Sequence, residues 1–260
     1  IFKIDDKKIE FEKVFPFEGK LISFNKKKFL FVKDSSLQKF SKLAFYNISH
    51  YLRSSHLSKL KKIITDNEAS NNDKFVAFSL LKNANTAAGG VLPMCQDTGT
   101  AIILAKKGIS IITSGKDTYY LSQGVHKCYL ENNLRYSQVA AKSMYEEKNT
   151  RNNLPAQIDI YSEGKSEYKF LFIAKGGGSA NKTLLFQATP SVLKTQKILE
   201  YLKPKIASIG TSACPPYHLA IVIGGLSAEM NLKTLKLATC HYLDNIPKKG
   251  NYKGLAFRDI

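Results

Sequence analysis

The start of the chain has the pattern of a strand pair. In residues 21–24, Ile22 and Phe24 would share one face and Leu21 and Ser23 the other, and a second apolar stretch covers residues 29–32. A basic turn at residues 26–28 separates the two stretches. Because the side chains of a strand point alternately to its two faces, this period of two predicts two short strands joined by that turn.

Helical spacing dominates the next fifty residues. Residues 35–67 place apolar side chains three and four positions apart, which predicts an amphipathic helix, and Ser54-Ser55 predicts a break within it. A second helix is predicted over residues 74–83. Its candidate N-cap is Asn72 or Asp73, since short polar side chains cap the first turn of a helix.

The pattern changes after Gly89-Gly90, which ends the helical stretch. Strand-sized apolar runs follow at residues 101–105, 109–113, 157–161, 170–174 and 219–223. Helical segments alternate with them at residues 116–133, 191–202 and 228–242. This alternation predicts an α/β fold with mixed sheets and surrounding helices. We expect two regions: N-terminal strands and a helical layer over residues 1–90, and an α/β region over residues 91–260.

Charge is the unusual feature of the composition. The 260 residues include 39 Lys+Arg against 21 Asp+Glu, a net charge of +18. No recognition-helix, zinc-finger or aromatic RNA-binding pattern accompanies the lysines, so a nucleic-acid partner is not predicted. The apolar runs are far shorter than the roughly 18–20 residues that span a bilayer, so no membrane association is predicted. A positive field favours the approach of a small dianion.

The chain has four cysteines, which are too few and too widely spaced for a disulfide scaffold. No two of them form a CxxC pair, which argues against a zinc ribbon or a thioredoxin motif. Cys95 lies in the polar turn PMCQDTGTA, just before a predicted strand. Cys214 lies in the loop GTSACPPYH, which two prolines make rigid. Both positions suit a reactive or ligating thiol. Cys128 and Cys240 fall in helical segments and are predicted to be small buried apolar residues.

A run of three glycines follows the predicted strand at residues 170–174, in the segment AKGGGSANKT. Successive glycines let the backbone approach a ligand and present N–H groups to an anion. The segment does not fit a Walker A loop, because the position of the second glycine is occupied by Asn181. We predict a carboxylate-binding turn, with a plain tight turn as the alternative.

From the residues alone, the chemistry of Cys95 and Cys214 stays open. Their 119-residue separation without a histidine pair fits no zinc pattern well. Dispersed thiolate ligands of an iron–sulfur cluster, a cysteine nucleophile and plain packing all remain.

Taken together, the segments CQDTGTA, KGGGSANKT and GTSACPPYHLAIVIGG resemble those of class I, iron–sulfur-dependent fumarate hydratases. The stretches NLRYSQV and KGNYKG, the second at residues 249–254, fit the same family. The resemblance covers residues 91–260 and implies that the chain is the N-terminal part of a longer hydro-lyase. It implies reversible hydration of fumarate to malate, a reaction of the tricarboxylic acid cycle.

The resemblance also assigns roles to particular residues. It implies a [4Fe-4S] cluster held by Cys95, Cys214 and a third cysteine beyond residue 260. Substrate contacts would come from Gln96, Asp97, Arg135 and Gly178. Asp97 would form a hydrogen bond with the transferred hydroxyl and would be the catalytic residue of the N-terminal part. The general base and the remaining contacts would belong to a C-terminal domain absent from this chain, which alone should be inactive.

Further expectations follow from the same resemblance. An iron that is open to solvent should make the enzyme oxygen-sensitive, and the full-length enzyme should be a homodimer in either a mitochondrial or a cytoplasmic location. The alternatives are a tartrate dehydratase-like or mesaconate hydratase-like enzyme of the same family and, in another class, a non-catalytic basic binding protein.

Overall fold

The computed structural model describes residues 19–250 and 257–258. Two compact units are present, whose described parts are residues 19–177 and residues 178–250 with 257–258. Helices and mixed sheets together confirm the predicted α/β class. The proposed boundary at residue 90 stays a prediction, and residues 251–254 of the KGNYKG stretch lie outside the described residues.

The predicted strand pair is confirmed, with its turn shifted. Strands β1 (Gly19–Phe24) and β2 (Lys27–Val32) pair antiparallel. The turn consists of Asn25 and Lys26, both at positive φ, rather than residues 26–28. Two positive-φ residues make the two-residue hairpin turn whose twist matches the strands, so Lys27 and Lys28 remain in β2.

Three helices follow, and their ends confirm one prediction and correct another. Helices α1 (Asp34–His50), α2 (Ser54–Thr65) and α3 (Asn71–Ala87) are separated by extended residues. The predicted break near Ser54-Ser55 is confirmed: it covers residues 51–53, and Ser54-Ser55 forms the start of α2. Neither Asn72 nor Asp73 is the N-cap of α3.

Ser70 caps α3 through a reciprocal pair of hydrogen bonds. The Ser70 hydroxyl accepts the Asp73 backbone N–H at 3.2 Å, and the Asp73 carboxylate accepts the Ser70 N–H at 3.0 Å. This capping box satisfies two backbone donors of the first turn and therefore starts the helix three residues before the predicted position. The bonds to Ser70 also lower the pKa of the Asp73 carboxyl.

The central sheet of the first unit has β3 (Thr100–Gly108) between two partners. It pairs parallel with β7 (Gln157–Glu163) and antiparallel with β8 (Tyr168–Lys175). Strand β4 (Ile111–Ile112) instead joins β2, and β5 (Val139–Ala141) pairs with β6 (Glu147–Asn149) in a separate hairpin. The antiparallel β3–β8 pair places the residues before β3 beside those after β8, at one end of the sheet.

A helical layer covers this sheet. Helix α4 (Asp117–Glu131) packs against α1, and α1 contacts β8. Phe40 of α1 meets the rings of Phe170 and Phe172 edge-on, with centroids 5.1 Å apart in both cases. The core that results includes the fully buried side chains of Phe45, Ile103 and Leu121. Its burial stabilises the unit that carries the first candidate segment.

The second unit is mainly helical in its described part. After α5 (Gly177–Asn181), it contains a 3-10 turn (Pro190–Val192) and helices α6 (Thr195–Ala207) and α7 (Ala228–Thr239). The helix predicted over residues 191–202 therefore begins later, at Thr195, because the 3-10 turn occupies its predicted first residues. The Ser227 hydroxyl caps α7 by accepting the Met230 N–H at 3.1 Å.

The strand predicted over residues 219–223 is wrong. These residues have no regular secondary structure, and Leu219, Ile221 and Ile223 are at least half exposed. An apolar run makes a segment able to form a strand, but a neighbouring strand must supply the hydrogen bonds. No described strand pairs with this segment.

Within residues 19–250 and 257–258, no helix combines the length and apolar character needed to cross a membrane.

Candidate functional site

The turn that carries Cys95 is fixed by its neighbour Met94. The Met94 backbone N–H donates to the Ser49 carbonyl oxygen at 2.9 Å, and the Asn83 side-chain amide donates to the Met94 carbonyl oxygen at 2.7 Å. Both polar groups of this peptide are therefore tied to helices α1 and α3. Cys95 itself is exposed and forms no disulfide, as expected of a thiol presented for chemistry and not of one buried in the core.

The glycine turn after β8 binds a carboxylate, and that carboxylate belongs to Asp97. The β3–β8 register pairs Thr100 with Lys175, which places Asp97 opposite the first glycines. The Gly177 backbone N–H donates to Asp97 Oδ2 at 2.6 Å. A charged acceptor strengthens this hydrogen bond, and it fixes one carboxylate oxygen of Asp97. The predicted carboxylate-binding turn therefore has a partner within the chain.

This close approach requires glycine. A Cβ at Gly176 would lie 2.9 Å from Asp97 Oδ2. At Gly99, which has φ +71°, a Cβ would lie 2.4 Å from the Lys175 carbonyl oxygen and 2.7 Å from the Gly176 nitrogen. Only a residue without a side chain fits between these backbones.

We expect the substitution Gly99→Ala to lower the free energy of unfolding by about 2 kcal/mol more than Gly115→Ala. Gly115 is the matched control, because it also has a positive φ (+83°) but nothing within 4 Å of its Cβ position. Urea denaturation of both variants measures the difference. Equal losses of unfolding free energy in the two variants would show that the backbone between Cys95 and β3 shifts to accommodate the added methyl group.

Arg135 follows helix α4 in a segment that is attached to the Cys95 turn. The Thr98 hydroxyl donates to the Arg135 carbonyl oxygen, and the Thr100 hydroxyl donates to Gln138 Oε1 at 2.9 Å. Leu134 anchors the segment in the core, whereas the Arg135 side chain is exposed. The backbone that carries the Arg135 guanidinium is therefore hydrogen-bonded to the residues that follow Asp97.

The sequence analysis missed a buried asparagine that holds these pieces together. Asn153 is fully buried, and its Oδ1 accepts the backbone N–H groups of Ser137 and Gln138 at 2.8 and 3.0 Å. Its Nδ2 donates to the Gly99 carbonyl oxygen at 2.9 Å. No local pattern in the sequence marks this residue. In the structure Asn153 has φ +55°, a backbone conformation that asparagine tolerates better than most residues.

Cys214 and Gly178 lie in the second unit. The Cys214 backbone N–H donates to the Thr211 carbonyl oxygen at 3.3 Å, and Cys214 has φ +60°. The neighbouring Ala213 N–H donates to the Tyr217 hydroxyl at 3.1 Å. A Cβ at Gly178 would lie 3.5 Å from the Ala213 Cα, so Gly178 is close to this turn. The Cys214 side chain is exposed, as is that of Cys95.

The remaining cysteines differ from these two. Cys128 is fully buried in α4, and burial raises the pKa of its thiol to about 12. It is therefore neutral at physiological pH, which agrees with the predicted packing role. Cys240, at the end of α7, is half-buried.

Each of the two exposed thiols lies in a polar turn and forms no disulfide, which suits a thiolate ligand of an iron–sulfur cluster. No cluster of three or more His, Cys, Asp or Glu side chains suited to a metal ion occurs among the described residues. The geometry brings Cys95, Gln96, Asp97 and the Arg135 segment together in the first unit, with Gln96 exposed. Their roles stay predictions.

Comparison with known proteins identifies the family to which the chain belongs. The sequence profile of the family described as fumarate hydratase (Fumerase) matches residues 38–257. The chain therefore belongs to the fumarate hydratase family.

Relatives narrow the position within that family. The chain is 53% identical to the anaerobic class I fumarate hydratase of Escherichia coli over 237 residues, which cover 91% of this chain and 43% of the relative. It is 54% identical to fumarate hydratase 1, mitochondrial, of Leishmania major over 88% of this chain and 42% of the relative. The L(+)-tartrate dehydratase subunit alpha of Escherichia coli O157:H7 is more distant, at 25% identity over 64% of this chain and 55% of the relative. The chain thus spans less than half the length of the fumarate hydratases it matches and corresponds to their N-terminal part.

Proposed function

We propose that this chain is the N-terminal part of a [4Fe-4S]-dependent hydro-lyase that reversibly hydrates fumarate to malate. The observation that carries the proposal is the family match over residues 38–257, together with more than 50% identity to class I fumarate hydratases. The geometry agrees with it, because the turn with the exposed Cys95 also carries Asp97 and is bonded to the Arg135 segment.

Cys95 and Cys214 would hold the cluster, with a third cysteine beyond residue 260, so this chain alone should be inactive. When bound, the cluster supplies a Lewis-acidic iron open to a carboxylate and a hydroxyl of the substrate. An iron of this kind is vulnerable to oxidants, so we expect an oxygen-sensitive enzyme. As the resemblance implies, we expect a homodimer. Relatives of both mitochondrial and bacterial origin leave mitochondrial and cytoplasmic locations open.

The residues of this chain would bind and orient the dicarboxylate. The exposed Arg135 guanidinium offers two parallel N–H donors to one substrate carboxylate. Gln96, the exposed neighbour of Cys95 in the chain, would also contact the substrate. Asp97, fixed by the Gly177 N–H, would bond the hydroxyl that is added or removed. Gly178 would provide a backbone contact.

A sibling dehydratase is the second candidate, because the chain is also similar to a tartrate dehydratase subunit. Tartrate and mesaconate carry substituents that fumarate lacks, so the residues lining the pocket decide between these substrates. The excess of 39 basic over 21 acidic residues suits any such dianion.

The experiment uses the full-length protein that contains this chain, reconstituted with iron and sulfide without oxygen. We expect it to consume fumarate, to prefer fumarate to tartrate and mesaconate by at least about 10-fold in kcat/KM, and to lose activity after brief exposure to air. A preference for another dicarboxylate would support the sibling enzyme. Binding of nucleic acid that weakens with salt, without activity on any dicarboxylate, would support the basic binding protein.

A further inference from the structure

We infer that Asn153 is a positioning residue that sets the relative placement of Arg135 and the Cys95–Asp97 turn. The inference rests on the proposed function for its kinetic consequence and on the hydrogen bonds of Asn153 for its physical basis. Nothing in the sequence near Asn153 marks it as part of the site, because it lies 18 residues after Arg135 and 56 after Asp97.

The side chain of Asn153 connects two segments that no strand pairing joins. Its carbonyl oxygen accepts from the backbone of Ser137 and Gln138, just after Arg135, and its amide nitrogen donates to the carbonyl oxygen of Gly99, just after Asp97. An amide group is required, because one end must accept and the other must donate.

The surroundings make this connection rigid. Asn153 is fully buried, so its hydrogen bonds are not exchanged with water. The Tyr129 hydroxyl, which is also buried, donates to the carbonyl oxygens of Thr98 and Gly99 at 2.8 and 3.2 Å. The Thr98 hydroxyl in turn donates to the Arg135 carbonyl oxygen. Two routes therefore fix the Cys95 turn to the Arg135 segment, and Asn153 is the only side chain among the described residues that is bonded to both Gly99 and the Ser137–Gln138 backbone.

Two substitutions separate the halves of this connection. Asn153→Asp keeps an acceptor for the Ser137 and Gln138 N–H groups but loses the donor to the Gly99 carbonyl oxygen. A carboxylate oxygen would then face that carbonyl oxygen. Asn153→Gly removes the whole side chain and still permits the positive φ of this position. Asn149→Ala is the matched control. Asn149 donates to the Tyr136 carbonyl oxygen at 2.7 Å and supports the same segment from outside, without a bond to Gly99.

The first measurement is hydrogen–deuterium exchange in the full-length protein, which needs no activity. We expect Asn153→Asp to speed amide exchange by at least about 10-fold in the peptide covering residues 94–99. Asn153→Gly should speed exchange by at least about 10-fold both in residues 94–99 and in residues 134–138. Asn149→Ala should affect only residues 134–138. Unchanged exchange at residues 94–99 in both Asn153 variants would overturn the inference.

The second measurement is steady-state kinetics of the anaerobically loaded enzyme, expressed per bound cluster. We expect both Asn153 variants to raise KM for fumarate by about 10-fold or more and to change kcat by less than about 3-fold, whereas Asn149→Ala shifts KM by less than about 3-fold. Faster exchange with unchanged KM would show a merely structural role and overturn the inference. A wild-type enzyme that leaves fumarate unchanged would overturn the proposed function, while the exchange result would still be readable.

Discussion

Replacing Cys95 by serine in the full-length protein is expected to abolish cluster loading and to lower hydratase activity by at least about 100-fold. Serine is nearly isosteric, but its hydroxyl does not ionise at neutral pH to give the soft anionic ligand that iron–sulfur clusters require. The turn itself should persist, because its anchors are the Met94 backbone groups and not the thiol. Stability and ligand loss are therefore separable at this position.

The measurement compares iron content, sulfide content and visible absorbance after anaerobic reconstitution of the wild type and of three variants. Cys214→Ser should behave as Cys95→Ser does. Cys240→Ser is the matched control, since Cys240 is half-buried at the end of α7 and has no proposed ligand role. A Cys95→Ser protein with the iron and sulfide content of the wild type would remove Cys95 from the ligand set.

The sequence predicts the elements of the first unit well, because their signals are local. Periods of two and of 3.6 residues locate β1, β2, α1 and α4 to within a few positions. The errors at helix starts have a local cause as well: the spacing of Ser70 and Asp73 is that of a capping box and was readable from the chain. Positive φ at Asn25 similarly explains the shifted turn.

What the sequence could not supply depends on pairing between distant segments. That Asp97 binds the glycine turn follows from the antiparallel β3–β8 register, and no pattern within either strand specifies its partner. The role of Asn153 depends on three hydrogen bonds to residues between 15 and 54 positions away. The failed strand at residues 219–223 shows the same limit, since its apolar run is real and its partner strand is missing from the described residues.

A mostly buried ion pair near the other end of β3 links this strand to helix α4. Lys107 Nζ lies 2.8 Å from Asp117 Oδ2, and the Tyr168 hydroxyl donates to the same oxygen at 2.9 Å. Asp117 begins α4, whereas Lys107 and Tyr168 are opposite each other on β3 and β8. The network therefore fastens the helical layer to the sheet. It is roughly 23 Å along the strand from Thr100, where the candidate site begins.

We expect Asp117→Asn to lower the free energy of unfolding by about 3 kcal/mol at pH 6 to 7, because the largely buried Lys107 ammonium loses its counter-charge. Glu146→Gln is the control. The Lys142–Glu146 pair has a similar 3.0 Å separation but both side chains are about 60% exposed, so its loss should cost less than about 0.5 kcal/mol. Urea denaturation measures both. A loss below about 1 kcal/mol for Asp117→Asn would show that the pair does not stabilise the fold.

The same pair predicts a dependence on pH with a definite sign. Burial raises the pKa of the Asp117 carboxyl, but the hydrogen bonds from Lys107, Thr113 and Tyr168 and the charge of Lys107 outweigh it, so the pKa lies below its ordinary value of 3.8. The unfolded chain therefore takes up the proton first as the pH falls. The stabilisation is complete above about pH 4 and disappears as the pH drops through the lower pKa of the folded state. The difference between wild type and Asp117→Asn should shrink over that acid range, and a difference that stays constant from pH 6 to pH 3 would contradict this account.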